Sequence, residues 1–126
     1  MTIADRAGTQ QITFLDTRDL ARTGDFYERV LGLRLARDQG TCRIYHVSGS
    51  AYLGFCQRAE APAEPRGITL TFVTDRVDDV WAQLEREGAE LVKAPADNPP
   101  YRIYNAFVRD PNGYLIEIQR FWEPLV

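Results

Sequence analysis

The stretch Phe107-Val-Arg-Asp-Pro-Asn-Gly-Tyr-Leu-Ile-Glu-Ile-Gln-Arg120 decides the fold of this chain. It predicts two strands joined by a tight turn, because Asp110 can accept a bond from its own backbone, Pro111 pre-sets φ and Gly113 tolerates a positive φ. After the turn, side chains alternate between two faces, so Glu117 lies opposite the two isoleucines that flank it. The pattern indicates a strand with one face on a core and the other, carrying a single carboxylate, on a cavity.

The composition is that of an ordinary globular domain. The chain has 126 residues, of which 44% are hydrophobic and 26% are charged, and its net charge is -3. That balance does not favour nucleic acid or an anionic membrane as a partner. No apolar run approaches the ~20 residues that a membrane span needs. With no signal-like segment at its start, we expect a cytoplasmic protein.

Cysteine and histidine are scarce. Cys42 and Cys56 are too few for a disulfide framework, and we expect both to be structural thiols rather than nucleophiles. His46 is the one histidine of the chain, which limits imidazole-based metal sites and catalytic triads. As the neighbour of Tyr45 in a strand, it is expected to face away from the cavity that Tyr45 lines.

Turn residues and apolar periodicity predict the order βαβββ twice. The first helix begins after Asp19 as N-cap and ends at Gly32, and the second starts at Val77 and ends at Gly88. The predicted strands are residues 12–16, 33–37, 43–47, 51–57, 69–73, 90–93, 102–109 and 114–120. Module one covers about residues 10–58, a charged, proline-containing linker covers about 59–67, and module two covers about 68–122. Similar spacings in the two halves favour a duplication.

The pattern Asp19-Leu20…Phe26-Tyr27…Leu31-Gly32-Leu33, followed by Val108-Arg-Asp-Pro-Asn-Gly-Tyr-Leu-Ile-Glu117, resembles the vicinal oxygen chelate superfamily. That superfamily includes glyoxalase I, extradiol dioxygenases, fosfomycin-resistance enzymes and bleomycin-resistance proteins. The resemblance implies an α+β fold in which two βαβββ modules form a cupped, partly open barrel-like sheet with the helices outside. It also implies a single glyoxalase/bleomycin-resistance-like domain over residues 1–126 and a homodimer, since members of the family commonly dimerise.

Catalytic members of the family hold a divalent metal, and the resemblance places its four ligand positions at Ile12, Gly54, Thr69 and Glu117. Ile12 and Gly54 offer no donor atom, and Thr69 offers a neutral hydroxyl. Zinc sites want about three protein ligands, and calcium or magnesium sites want several oxygens. We therefore expect a degenerate site with no metal and no cofactor.

The hairpin registers determine which side chains line the expected cavity. A register that pairs Glu117 with Ala106 places Arg102 and Tyr104 on the Glu117 face, while a slip of one residue would invert that facing. The expected ligand-binding residues are Phe14, Arg43, Tyr45, Tyr52, Thr69, Thr71, Arg102, Tyr104, Glu117 and Gln119. The alternative, in which the tyrosines only pack with their hydroxyls outward, stays open.

These residues support three functions. The first is a metal-independent protein that binds a small aromatic or cationic molecule in the sheet cavity. The alternative is a lyase, isomerase or dioxygenase-like enzyme that uses Glu117 as its catalytic base or as part of a weak metal site. The third is a structural module whose output is a dimer contact. Fold alone does not choose among them.

Overall fold

The computed structural model describes residues 2–125, and this range contains eight strands and two α-helices. The strands are Gln11–Thr17 (β1), Arg34–Asp38 (β2), Cys42–Ser48 (β3), Ala51–Gln57 (β4), Thr69–Val73 (β5), Glu90–Asn98 (β6), Ile103–Arg109 (β7) and Leu115–Phe121 (β8). The α-helices are Leu20–Asp25 (α1) and Val77–Arg86 (α2), and α1 continues into a π-helical turn, Phe26–Val30.

The chain divides into two compact units with a boundary between Pro62 and Ala63. Each unit has the order βαβββ and one four-stranded mixed sheet, with strand order β1-β4-β3-β2 in the first and β5-β8-β7-β6 in the second. The first strand of each unit runs parallel to the last, and the remaining neighbours are antiparallel. The predicted α+β class and the repeated βαβββ plan are confirmed, and neither sheet closes into a barrel.

The helix of the first unit starts where the sequence predicts. The Asp19 carboxylate accepts a bond from the Arg22 backbone N–H at 3.0 Å, and the Gln57 side chain accepts one from the Leu20 N–H at 2.8 Å. The chain then widens into the π-helical turn, in which Phe26, Tyr27 and Val30 are buried. Such turns recur at functional and irregular places in helices, and a simple 3.6-residue periodicity does not predict them.

Aromatic rings form the core of the first unit between α1 and its sheet. The ring of Tyr27 lies 4.6 Å from that of Phe55 and 6.4 Å from that of Tyr45, measured between centroids. In the second unit, α2 buries Val77 and Leu84. No helix within residues 2–125 combines the length and apolar character that a bilayer crossing requires.

Strand β6 is longer than predicted. It runs to Asn98, whereas the sequence predicts a loop from residue 94 to residue 100. Pro95 is accommodated because β6 is an edge strand whose pairing with β7 shifts between Lys93 and Ala96. A proline at an edge or a bulge removes no ladder hydrogen bond that the sheet needs.

The expectation of two free thiols is wrong, because Cys42 and Cys56 form a disulfide. The two residues face each other on β3 and β4, with their Cα atoms 4.1 Å apart. Their proximity comes from the register of the hairpin, which a count of cysteines does not contain. The described residues include no free cysteine.

Candidate functional site

The register of the second hairpin differs by one residue from the predicted one. Glu117 lies opposite Phe107, and Ala106 lies opposite Ile118. Phe107 and the other odd-numbered residues of β7 therefore share the Glu117 face, and the even-numbered ones face α2. A signal for this register was present in the sequence, since matching Ala106 with Ile118 places apolar side chains opposite each other on the core face.

Tyr104 and Arg102 do not reach Glu117, so their predicted facing is wrong. The Tyr104 hydroxyl donates to Asp78 of α2 at 2.6 Å, and this bond to a carboxylate raises the pKa of Tyr104 above its ordinary value. Arg102 precedes β7 in a left-handed conformation with φ of 56°. It pairs with Glu123, and its guanidinium carbon lies 5.3 Å from the ring centroid of Trp122.

The carboxylate of Glu117 is held by donors from both neighbouring strands. The Thr71 hydroxyl donates to Oε1 at 2.8 Å, and the Asn105 side-chain N–H donates to Oε2 at 2.8 Å. Thr71 stands directly opposite Glu117 on β5, and Thr69 lies two residues earlier on the same face. This arrangement fixes the orientation of the carboxylate and leaves lone pairs on both oxygens.

Asn105 is a residue of the candidate site that the sequence pattern did not indicate. Its side chain is buried, with 1% exposed, and its Oδ1 atom is buried without a hydrogen-bond partner. The amide orientation follows from the bonding network, because the N–H must point at the Glu117 carboxylate. A buried acceptor left without a hydrogen-bond partner lowers the free energy of unfolding by about 1–3 kcal/mol.

Glu117 and Asn105 line a concavity of about 380 Å³ on the sheet of the second unit. We call it the acceptor pocket, and it is lined by Asn98, Tyr101, Ile103, Asn105, Phe107, Glu117, Gln119 and Phe121. Among these described lining residues, Glu117 is the only carboxylate. Gln119 also lines the pocket, and Tyr101, 74% exposed, stands at its edge. The aromatic walls come from residues that the predicted register had placed on the other face or in a loop.

In the first unit, Arg43 and Tyr45 face α1, so their predicted facing is also wrong. Tyr45 is 0% exposed and donates from its hydroxyl to Glu28 at 3.2 Å. Burial raises the pKa of Tyr45, and the negative charge of Glu28 adds to the effect. A β-carbon on Gly24 of α1 would lie 2.6 Å from a terminal nitrogen of Arg43, which places that guanidinium directly against the helix.

The opposite face of the first sheet carries Phe14, Tyr52 and His46. Phe14 pairs with Gly54, and a β-carbon on Gly54 would lie 2.5 Å from Cε1 of Phe14, so the ring lies on bare backbone. The rings of His46 and Tyr52 meet edge to face at 5.1 Å between centroids. His46 therefore lies on the face predicted for Tyr45, which corrects its expected position.

The donor set does not fit a tightly held divalent metal. The register of each parallel strand pair makes Gly54 the counterpart of Glu117 and Ile12 the counterpart of Thr69. Only Glu117 among these positions has a charged oxygen, and both of its oxygens already accept hydrogen bonds. Within residues 2–125 there is no group of three or more His, Cys, Asp or Glu side chains that could hold a metal ion.

The chain belongs to the Glyoxalase/Bleomycin resistance protein/Dioxygenase superfamily, whose profile matches residues 10–118. This confirms the family resemblance carried by the helix and closing-hairpin motifs. Each of the two βαβββ units, with its parallel contact between first and last strand, is consistent with that membership.

Relatives in the superfamily carry different names. A lactoylglutathione lyase of Haemophilus influenzae is 30% identical over 120 residues, which cover 83% of this chain and 87% of that protein. The crystal structure of virulence protein STM3117 from Salmonella typhimurium matches with a TM-score of 0.71 at 26% identity, covering 93% of this chain and 97% of that one. A bleomycin resistance determinant encoded on transposon Tn5 has the same fold, with a TM-score of 0.74, 21% identity and coverage of 90% and 98%.

Proposed function

We propose that this chain is a metal-independent small-molecule-binding protein whose ligand occupies the acceptor pocket. The observation that carries the proposal is the half-buried carboxylate of Glu117, which lines the acceptor pocket and is held in one orientation by hydrogen bonds from Thr71 and Asn105. Each of its oxygens keeps a lone pair that a ligand's donor can use.

The chemistry of the pocket defines the ligand class. The Glu117 carboxylate is an acceptor, so the ligand must bring N–H or O–H donors to it. An ammonium or amidinium group supplies such donors, and its charge complements the carboxylate. The rings of Phe107 and Phe121 favour a flat apolar body through stacking, and they favour a cation through their π faces.

The Tn5 protein that shares the fold is named for resistance to bleomycin and not for a reaction, which is compatible with a binding function for this chain. At 21% identity that likeness concerns the fold, so the ligand class proposed for this chain rests on its own acceptor groups.

Thermal unfolding with small aromatic probes tests the proposal. Benzamidinium and benzylammonium should raise the melting temperature, whereas acetophenone, which has the aromatic body without a donor, should not. At a concentration of ten times its Kd, a ligand stabilises the folded state by about 1.4 kcal/mol, which corresponds to about 5 °C for a chain of this size.

Matched variants locate the effect. Glu117→Gln and Asn105→Leu should each reduce the shift caused by benzamidinium, while Glu85→Gln, which removes a carboxylate from the exposed face of α2, should leave it unchanged. The unliganded melting temperature of each variant reports whether it folds. An equal response to acetophenone, or an undiminished response in Glu117→Gln, would contradict the proposal.

The second candidate is a lyase or isomerase in which Glu117 acts as the base. The 30% identity to the lactoylglutathione lyase of Haemophilus influenzae favours it. Its test is turnover of lactoylglutathione by the purified chain, measured with and without added Ni²⁺ or Zn²⁺. A rate that disappears in Glu117→Gln would establish this function, and calorimetric titration with the same ions would show whether a metal binds stoichiometrically.

We also propose that the chain forms a homodimer, because members of the family commonly dimerise. Light scattering on the purified chain should give twice the chain mass, and a monomer over the whole accessible concentration range would contradict it.

The cytoplasmic location also remains a proposal, and the Cys42–Cys56 disulfide bears on it, since disulfides persist mainly in oxidising compartments. Trapping of thiols during cell lysis, followed by mass measurement, tells whether the two cysteines are reduced in the cell.

A further inference from the structure

Two arginines of β2 line a second concavity, on the sheet of the first unit. It measures about 520 Å³ and lies on the face opposite α1. We call it the arginine pocket, and it is lined by Gln10, Ile12, Arg34, Ala36, Arg37, Gln39, Ile44 and Tyr52. None of these described lining residues carries a negative charge, in contrast to the acceptor pocket of the second unit.

A β-bulge brings the two guanidinium groups to one face. In a regular strand, residues three positions apart point to opposite sides, so Arg34 and Arg37 would be separated. Here Leu35 opposes Tyr45, while Arg37, two residues later, opposes Ile44, the immediate neighbour of Tyr45 in β3. Ala36 is thus the additional residue, and it returns Arg37 to the face of Arg34. Bulges redirect side chains in this way next to functional sites.

Both arginines are without an acidic partner. Over the described range 2–125, the side chain of neither Arg34 nor Arg37 makes a hydrogen bond or an ion pair. The nearest acid along the strand, Asp38, opposes Arg43 and lies 3.9 Å from it. The bulge therefore separates the charges of β2, leaving two positive groups on one face and a neutralised pair on the other.

Tyr52 adds a neutral donor to the same pocket. Its hydroxyl oxygen accepts a bond from the Gln10 side-chain N–H at 3.1 Å, which leaves its own O–H free to donate outward. The edge-to-face contact with His46 fixes the ring. Ile12 and Ile44 supply an apolar floor between the polar groups.

We propose that the arginine pocket is a binding site for an organic anion, a carboxylate or phosphate ester with an apolar body. The guanidinium groups of Arg34 and Arg37 match the planar oxygen pairs of these anions, and they present fixed positive charge without competition from a protein carboxylate. The Tyr52 hydroxyl supplies a third donor, and the isoleucine floor receives the apolar part. This site does not depend on the acceptor pocket or on the function proposed for it.

Amide-resolved NMR titration of the full chain tests the site. Benzoate and phenyl phosphate should shift the backbone amides of β2, β3 and Tyr52, and whichever binds more tightly identifies the anion. Arg34→Gln and Arg37→Gln should each weaken binding about tenfold, since each removes a charge-assisted hydrogen bond. Arg22→Gln, which removes an exposed arginine on α1, should leave the dissociation constant unchanged.

Several outcomes would overturn the proposal. Unchanged affinity in both β2 variants, or an equal loss in Arg22→Gln, would reduce the effect to the general charge of the surface. If acetophenone binds as tightly as benzoate, the site does not recognise the negative charge of the ligand. If inorganic phosphate binds as tightly as phenyl phosphate, the apolar body contributes nothing to binding. Benzoate binding should survive Glu117→Gln, and benzamidinium binding should survive Arg34→Gln, so failure at one site is distinguishable from failure at the other.

Discussion

The disulfide between Cys42 and Cys56 should provide a large part of the stability of the first unit. The two residues are separated by 14 positions, so the bond closes a short loop in the unfolded chain. For a loop of about 15 residues the chain-entropy model gives about 3 kcal/mol at 25 °C. With an unfolding entropy of about 2.1 cal/mol/K per residue, a cooperative transition of the whole chain would then shift downward by about 11 °C on removal of the bond.

Replacement of both cysteines by alanine, followed by guanidinium unfolding, measures this contribution. Far-UV circular dichroism follows both units, whereas fluorescence follows the second unit alone, because Trp81 and Trp122 are the two tryptophans of the chain. Loss of the bond should lower the midpoint by circular dichroism. It should lower the fluorescence midpoint equally if the units unfold together, and leave it unchanged if they unfold independently.

Reductant supplies the internal control. Wild-type protein in excess phosphine should fall to the stability of the double alanine variant, and the variant itself should not respond. A difference below about 0.5 kcal/mol between wild type and variant would refute the reasoning, since surface substitutions alone produce changes of that size.

Three further predictions concern single side chains. Gly54→Ala should cost about 1 kcal/mol in the wild type, because its β-carbon displaces the Phe14 ring, and should stabilise a Phe14→Ala background; additive effects in the double-mutant cycle would contradict this. The raised pKa of Tyr45 means that its contribution to stability is complete below about pH 10 and is lost as the pH rises through the folded value. Tyr45→Phe should therefore make the alkaline loss of stability shallower, and parallel curves for the two proteins would disprove the assignment. Asp110→Ala should cost about 2 kcal/mol, because it deprives two backbone N–H groups of the turn of their acceptor, whereas Asp110→Asn should recover part of the loss; equal melting temperatures for both variants would rule this out.

Local patterns in the sequence predicted the elements well. The strands Ala51–Gln57 and Thr69–Val73 have their predicted bounds, and the Asp19 cap and the glycine at the end of the first helix are where their chemistry requires them. Gly32 adopts a φ of 74°, which a side chain would resist. These features depend on residues within one turn or one strand, so the sequence contains all the information.

The facing of the hairpin side chains was predicted wrongly, because the alternation within each strand does not determine the length of the turn between them. The closing turn holds one residue more than expected, because the Asp110 carboxylate binds the backbone of Asn112 and Tyr114 and so folds Tyr114 into the turn. Arg109 then pairs with Leu115, and every residue of β7 changes face relative to the predicted register. This change of face moved the side chain of Tyr104 away from the predicted site and moved that of Asn105 into it.

The positive charge of the arginine pocket was not predicted, for a related reason. Its second guanidinium depends on the bulge at Ala36, and a bulge has no mark in the alternation of β2. The cross-strand disulfide likewise follows from which residues of β3 and β4 meet. Both features depend on pairing across strands, which periodicity within one strand cannot specify.

The ring of Phe14 on Gly54 limits which substitutions position 54 accepts. A carboxylate side chain at position 54 would need the space that this ring fills. A mutation that restores an acid there is therefore unfavourable while Phe14 remains, and replacement of Phe14 alone exposes bare backbone without a benefit. The two changes must occur together, so the Phe14 ring blocks any single substitution that would place an acid at position 54. Libraries that aim to introduce a carboxylate there should vary both positions at once.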